Sequence, residues 1–265
     1  MNIIEYQMID ILKQLRDEYG VIEIKAEFEA EGSRIEEMMR LKDVTSDVKL
    51  PIILKIGGVE AITDIYNALS IGVKGIIAPM AESAFAVSKF LNAIETFVAD
   101  DNREDIDFAI NIETITAFNN LDEILKIKNI GILQGITVGR VDFVGSIGGD
   151  RCIVDSQMIY DYSQSIFSKA KQKCLKTGLG GAISTSSIDF IKKLYCDNLL
   201  DKFETRKVVF RSDMILNDPE KAILKAVEFE LLWLKSKRRY YHRIKSEDEN
   251  RIDMLEKRLA ASKIN

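Results

Sequence analysis

Short apolar runs alternate with longer amphipathic segments along nearly the whole chain, and this alternation restricts the possible folds more than any other feature. It is typical of strand–helix units whose strands form a parallel sheet. Candidate strands are the seven runs at residues 21–27, 52–56, 75–79, 107–113, 131–138, 179–184 and 207–210. A chain of 265 residues is about the length of a single α/β barrel. We therefore predict an α/β fold of the TIM-type (β/α) barrel class.

The strand count is one short of the eight that close such a barrel. A helical pattern occupies residues 3–19, before any strand, so the missing strand is predicted to be the first. The gap that this strand would leave in the barrel, here called the seam, is then open, closed by a segment without a recognisable strand pattern, or covered by a partner subunit. Because an exposed edge strand promotes aggregation, we expect a covered seam.

A strongly helical pattern follows Asp218 and Pro219 and ends in a charged tail. It is longer than a single barrel helix requires, and its basic run at residues 235–239 is typical of a solvated helix face. We predict a barrel domain at residues 1–217 and a C-terminal helical extension at residues 218–265. The extension and the seam together predict a homo-oligomer.

Composition narrows the classes of function. The net charge of -5 and the pI of about 5.2 lack the basic excess of a nucleic-acid-binding protein. No apolar run approaches the ~18 residues of a membrane span, so we expect no membrane partner. Cys152, Cys174 and Cys196 lie far apart without a CxxC pair, which indicates reduced thiols and a cytoplasmic location. Since His242 is the only histidine, carboxylates, lysines and arginines must carry the chemistry.

Charged residues and glycines close the first two apolar runs, at the barrel end where active sites lie. Alternation along the first run places Lys25 and Glu27 inside the barrel, where each buried charge costs on the order of several kcal/mol unless it is paired or binds a ligand. A structural ion-pair network is the alternative. The second run ends at Lys55, and Gly57 and Gly58 follow it with backbone N–H groups that suit a carboxylate or phosphate.

Two carboxylates follow neighbouring strands. Glu113 ends one candidate strand, and Asp142 follows the next, about one strand–helix repeat later. Adjacent strand ends bring such side chains together over the barrel mouth, and two carboxylates with waters suit Mg²⁺ or Mn²⁺ better than zinc. The structural alternative is that Glu113 caps the following helix and that Asp142 pairs with Arg140.

Three segments of the chain resemble the HpcH/HpaI aldolase and citrate lyase β-subunit family. They are GIIAPM at residues 75–80, NIETITAFNNLDEI at residues 111–124 and GRVDFVGS at residues 139–146, within a similarity over roughly residues 20–212. The resemblance implies that Glu113 and Asp142 bind a divalent metal that also binds a pyruvate-like acid, with N–H groups around Val141 and Asp142 holding its carboxylate. It further implies reversible carbon–carbon cleavage through a metal-stabilised enolate, which requires no Schiff-base lysine.

Three positions depart from the pattern of that family. Lys55 stands where the family has an arginine, which keeps the charge but loses the planar fork. Phe28 follows Glu27 where many members have a histidine, so Glu27, Lys25, a metal-bound water or a group from a partner chain must transfer the proton. Arg140 replaces a small residue or proline, and we expect it to bind an additional anionic group of the substrate.

These observations predict a Mg²⁺- or Mn²⁺-dependent carbon–carbon lyase for a pyruvate-like 2-oxo acid or an acidic 3-hydroxy acid. Catalysis is assigned to Lys55, Glu27 and Lys25, and substrate binding to Arg140, Val141, Gly57 and Gly58. The alternative is a non-catalytic or regulatory barrel that binds a 2-oxo acid or a phosphorylated metabolite. Arg206 and Lys207 precede the last candidate strand, where either could bind an anion or form a salt bridge at the barrel base; their position before the strand favours the structural role.

Overall fold

Eight strands form a closed barrel in the computed structural model, which describes residues 1–262. The strands are β1 (Val21–Glu27), β2 (Ile52–Lys55), β3 (Gly75–Ala78), β4 (Asp107–Ile112), β5 (Gly135–Gly139), β6 (Lys176–Gly180), β7 (Lys202–Glu204) and β8 (Val208–Arg211). Strands β1 to β7 pair in parallel in chain order, and β8 pairs antiparallel with both β7 and β1. The predicted TIM-type barrel class is confirmed, with one strand reversed.

The α-helices of the described residues follow the strands in the expected alternation. They are α1 (Ile3–Tyr19), α2 (Ile35–Asp47), α3 (Ile62–Ile71), α4 (Ala84–Phe97), α5 (Asp100–Asp105), α6 (Ile115–Asn119), α7 (Leu121–Ile124), α8 (Arg140–Ser146), α9 (Gln157–Gln172), α10 (Ile188–Cys196) and α11 (Pro219–Ser262). Helix α1 begins after Asn2, whose side chain accepts from the N–H groups of its first turn, and ends at Gly20 with a φ of 63°.

The prediction that the first strand is missing is wrong: the first predicted run is β1, the strand that the sequence did not show is β7, and the chain itself closes the barrel. Strand β7 has only three residues, and its sequence, Lys-Phe-Glu, is too short to show a strand pattern. Residues 205–207 turn the chain directly into β8 without a helix, so β8 runs antiparallel and pairs with β1, with Ile24 opposite Val208. The edge of β1 is therefore covered within one chain.

Two strands differ from their predicted boundaries by more than one residue. Residues Ile130–Ile132 form a 3₁₀ turn, so β5 begins at Gly135 rather than at residue 131. Strand β6 occupies residues 176–180, earlier than the predicted run at 179–184, because glycines end it and a loop follows. Apolar periodicity alone does not separate a short strand from an apolar turn.

The barrel interior has an apolar lower layer and a charged upper layer. Ile53, Ile77 and Val209 form a buried cluster, against which Ile22 and Ala109 pack. On β2 the next inward position towards the C-terminal end is Lys55, which pairs in register with Glu27 of β1, and both residues are buried. The fold therefore concentrates charge at the end of the barrel where the strands finish.

Helix α11 is the predicted C-terminal extension, formed as one long helix. Its first half packs against α1 and buries Ala222, Ala226, Phe229 and Trp233. Beyond Tyr241 its described side chains are mostly exposed. The domain division at residue 217 remains a prediction. Of the helices within residues 1–262, none combines the length and the apolar character needed to cross a bilayer.

Candidate active site

A cavity of about 470 Å³ opens at the C-terminal ends of the strands. Charged and polar side chains from the ends of β1, β2, β4 and β7 line it, and α11 contributes Val227 and Glu230. A second, more apolar cavity of about 340 Å³ lies between α2 and α11 and contains none of the predicted site residues. The first cavity is at the position that active sites occupy in (β/α) barrels.

Glu113, directly after β4, is buried in the floor of this cavity with 1% of its surface exposed. Its Oε1 accepts a hydrogen bond from the Met80 N–H at 3.0 Å, and its Oε2 accepts one from Asn111 Nδ2 at 3.0 Å. Burial raises the pKa of the Glu113 carboxyl above its ordinary value, although Lys55 and the two hydrogen bonds oppose the shift. A cation at this position would favour the ionised form.

Asp142 lies in the first turn of α8 and lines the same cavity as Glu113. Because β4 and β5 pair up to Ile112 and Val138, the residues that follow these strands are neighbours. Gly139 leaves room for the carboxylate between them, since an added Cβ would overlap Glu113 Oε2. The structure thus brings the two predicted metal ligands to one cavity. Within the described residues, no three acidic, histidine or cysteine side chains are arranged to hold a metal ion together.

Lys25 bridges two buried carboxylates on the opposite wall. Its Nζ lies 3.0 Å from Glu27 Oε1 and 2.5 Å from Glu204 Oε1. Burial alone lowers the pKa of Lys25, but the two carboxylates outweigh it and raise the pKa above its ordinary value. Burial alone raises the pKa of Glu27, but nearby cations, Lys25 foremost, hold it below the usual range. The ion-pair network that the sequence offered as an alternative therefore exists, and it lines the cavity.

Lys55 lies between the two walls. Its Nζ is 2.8 Å from Glu29 Oε2 and 4.0 Å from Glu113 Oε2. Burial lowers the pKa of Lys55, but Glu113 and Glu29 outweigh this effect, so its pKa is raised. Both cavity lysines are thus held in the protonated form, which cannot attack a carbonyl carbon.

A protein-family model identifies the family to which this barrel belongs. The model of the HpcH/HpaI aldolase/citrate lyase family matches residues 32–180, which is more than half of the chain. The chain belongs to the HpcH/HpaI aldolase/citrate lyase family. The matched residues include Glu113 and Asp142, and the resemblance noted in the sequence is confirmed. Membership places the chain in a family of lyases that act on carbon–carbon bonds. No curated protein sequence matches the chain.

Several solved structures share the fold of this chain. An HpcH/HpaI aldolase from Desulfitobacterium hafniense DCB-2 is 14% identical with a TM-score of 0.60, over 76% of this chain and 82% of that one. A family protein from Burkholderia cenocepacia J2315 is 13% identical with a TM-score of 0.55, over 82% and 98% of the chains. The citrate synthase SbnG is 16% identical with a TM-score of 0.59, over 85% and 90%.

Arg140, expected to bind substrate, does not reach the cavity. Its side chain is fully buried and directed to groups of its own chain, including the Gly181 carbonyl oxygen at 2.8 Å and the Asp155 carboxylate. The guanidinium therefore has no free N–H for a ligand. Its neighbour Val141, with which the prediction grouped it, does line the cavity.

Gly57 and Gly58 also lie apart from the cavity lining. The Gly57 N–H donates to Asp64 Oδ2 at 2.7 Å, so a side chain of the following helix α3 already occupies the anion position predicted for a substrate. The two glycines shape the connection between β2 and α3. Of the predicted substrate-binding residues, the structure brings only Val141 to the site.

Several cavity residues were missed in the sequence. Glu29, Arg151, Glu204, Arg206 and Glu230 all line the cavity. The expectation that Arg206 lies at the barrel base is wrong, because β8 runs antiparallel and the turn before it sits at the mouth. Position before a strand indicates the base only for a parallel strand. One sequence signal could have indicated Glu204: it closes a short run that contains Phe203, and Thr205 and Arg206 follow it.

Proposed function

We propose that this protein is a divalent-metal-dependent carbon–carbon lyase or aldolase that acts on a pyruvate-like 2-oxo acid or an acidic 3-hydroxy acid. The observation that carries the proposal is the placement of Glu113 and Asp142 in one cavity, at the ends of neighbouring strands of a barrel of this family. Protonated lysines on the same cavity walls supply positive charge for an anionic substrate.

The oxygen donors of the cavity fit Mg²⁺ or Mn²⁺. Glu113 and Asp142 offer carboxylate oxygens, and the buried Asn111 Oδ1 has no hydrogen-bond partner. Hard divalent cations prefer such ligands. We assign Glu113 and Asp142 as the metal ligands, with Asn111 as the neutral oxygen beside them. When bound, the metal would polarise the carbonyl group of a 2-oxo acid and favour its enolate.

Lys55 would place a fixed positive charge beside the reacting group. It is 5% exposed, and both Glu29 and Glu113 favour its protonated state. A buried cation that need not reorganise stabilises negative charge as it develops on a substrate oxygen. Since Lys25 and Lys55 remain charged, a Schiff base on either is disfavoured, in line with the metal-dependent route.

Glu27 is our candidate for the proton-transferring residue. Neighbouring cations favour its ionised form, and its Oε2 accepts no hydrogen bond in the described part of the chain but lies 3.5 Å from Arg206 Nη2 at the cavity mouth. Lys25 holds the other oxygen at 3.0 Å and fixes the orientation of the carboxylate. Glu27 thus compensates for Phe28, which stands where many family members have a histidine.

Deuterium exchange into pyruvate tests the proposal. The purified protein with Mg²⁺ or Mn²⁺ in D₂O is expected to exchange the methyl protons of pyruvate, as followed by NMR, because the site favours the enolate. Absence of exchange with either metal would contradict catalysis. Thermal stabilisation by metal and 2-oxo acid without exchange or cleavage would instead favour the non-catalytic binding barrel.

We further propose that copies of the chain associate through α11. Leu224, Val227, Leu231 and Leu234 follow a three–four–three spacing on one face of α11, and each is about half exposed. Such spacing is typical of the seam between paired helices. Light scattering is expected to give a dimer or larger assembly at micromolar concentration, and Leu231→Lys to weaken it. A monomeric wild-type mass would refute association.

A further inference from the structure

Arg140, at the start of α8, has every donor of its guanidinium occupied by its own chain. An arginine side chain has five N–H groups, and its planar fork fixes their directions. The acceptors are the carbonyl oxygens of Gly180 (3.2 Å), Gly181 (2.8 Å) and Val154 (3.4 Å), the Ser187 hydroxyl (3.3 Å) and the Asp155 carboxylate.

Asp155 and Phe190 complete the surroundings of this guanidinium. The second carboxylate oxygen of Asp155 accepts from the Ser186 and Ser187 hydroxyls at 3.0 and 3.2 Å. The Arg140 Cζ atom lies over the ring of Phe190, in α10, at 4.9 Å from the ring centroid. The side chain thus joins the start of α8 to the end of β6, to the segment before α9 and to the start of α10.

A backbone contact fixes the same turn independently. Gly181 has a φ of 81°, and a Cβ added to it would lie 2.6 Å from the Arg140 nitrogen and 2.7 Å from the Val141 nitrogen. The loop after β6 therefore packs directly on the backbone between β5 and α8. Only a residue without a side chain fits that approach.

We propose that Arg140 is a positioning residue, which fixes the first turn of α8 and thereby the Asp142 carboxylate and the Val141 backbone at the cavity. Asp142 lies two residues after Arg140, in the first turn of α8, and its side chain is exposed at the cavity. Its location consequently depends on the turn that carries it. Groups that orient metal ligands from behind typically contribute about 10- to 100-fold to metal affinity.

The metal-binding part of this inference rests on the proposed function, and Mn²⁺ affinity tests it. Free Mn²⁺ is measured by electron paramagnetic resonance during titration of the wild type, Arg140→Lys and Asp155→Asn. Lysine keeps the charge but loses the fork, and asparagine removes the counter-charge while it keeps the shape. Both variants are expected to bind Mn²⁺ about 10-fold more weakly or worse. Wild-type affinity in both would overturn the inference and leave the proposed function standing.

Asp201→Asn is the matched control. Asp201 also binds a cation and a backbone N–H, with Lys171 Nζ at 2.6 Å and Thr177 N at 2.7 Å, but it lies at the opposite end of the barrel. Its substitution is expected to lower stability without a change in Mn²⁺ affinity. An equal loss of affinity in Asp201→Asn would show a general structural effect and count against a positioning role.

Hydrogen exchange separates this inference from the proposed function. In the metal-free protein, the amides of residues 139–146 are expected to exchange faster in Arg140→Lys and Asp155→Asn than in the wild type or Asp201→Asn. If the wild type binds no Mn²⁺, the proposed metal site fails, and faster exchange in this segment still supports the positioning of the turn. Unchanged exchange in both variants would overturn it.

Discussion

Replacement of Glu113 by glutamine is expected to weaken Mn²⁺ binding and to slow the deuteration of pyruvate at least ~100-fold. Glu113 is the buried member of the carboxylate pair, and its loss leaves Asp142 as the one remaining carboxylate of the two assigned metal ligands. Glutamine keeps the size of the side chain but removes the charge and presents an amide donor to the cavity. Mn²⁺ titration and NMR exchange measure the two effects separately.

Glu5→Gln controls for the loss of a buried carboxylate. Glu5 is 2% exposed, accepts from the Asn2 N–H at 2.7 Å and pairs with Arg40, at the start of α1 and outside the cavity lining. This variant is expected to lose some stability and to keep the Mn²⁺ affinity and exchange rate of the wild type. Wild-type affinity in Glu113→Gln would show that the metal assignment is wrong. Lost affinity with normal exchange would show that the metal takes no part in enolisation.

The neighbourhood of Glu113 and Asp142 could be predicted because it depends on local patterns. Each residue follows an apolar run, and parallel strands that are consecutive in the chain place their C-terminal ends side by side. The alternation rule placed Lys25 and Glu27 inside the barrel, where they are buried. Such rules need no knowledge of contacts between distant segments.

The remainder of the site depends on contacts that local patterns do not encode. Strand β7 has three residues and is specified by its pairing with β6 and β8 rather than by its own periodicity. The reversal of β8 moved Arg206 from the expected base to the mouth. Likewise, a position beside a metal ligand suggested that Arg140 contacts substrate, but Asp155 and Phe190, from later segments, draw it away.

The ion pairs of Lys25 with Glu27 and Glu204 link the stability of the barrel to the proposed chemistry. Lys25→Met is expected to lower the free energy of unfolding by about 3–5 kcal/mol, because Glu27 and Glu204 lose the cation that they share inside the barrel. Urea denaturation measures the change. Addition of Glu204→Gln to Lys25→Met removes one of the two uncompensated charges and is expected to recover about 1 kcal/mol or more.

A surface pair provides the comparison for this effect. Lys169 Nζ lies 2.7 Å from Asp122 Oδ1, with side chains 35% and 64% exposed, so Lys169→Met is expected to cost less than about 1 kcal/mol. If Lys25→Met lowers the free energy of unfolding no more than Lys169→Met does, water rather than Lys25 compensates the charges of Glu27 and Glu204. Lys25 would then not be what fixes the orientation of Glu27. If the large loss is found, the same lysine that stabilises the barrel also holds the candidate proton-transferring carboxylate ionised. The fold and the reaction would then both require Lys25 because its positive charge compensates buried carboxylates.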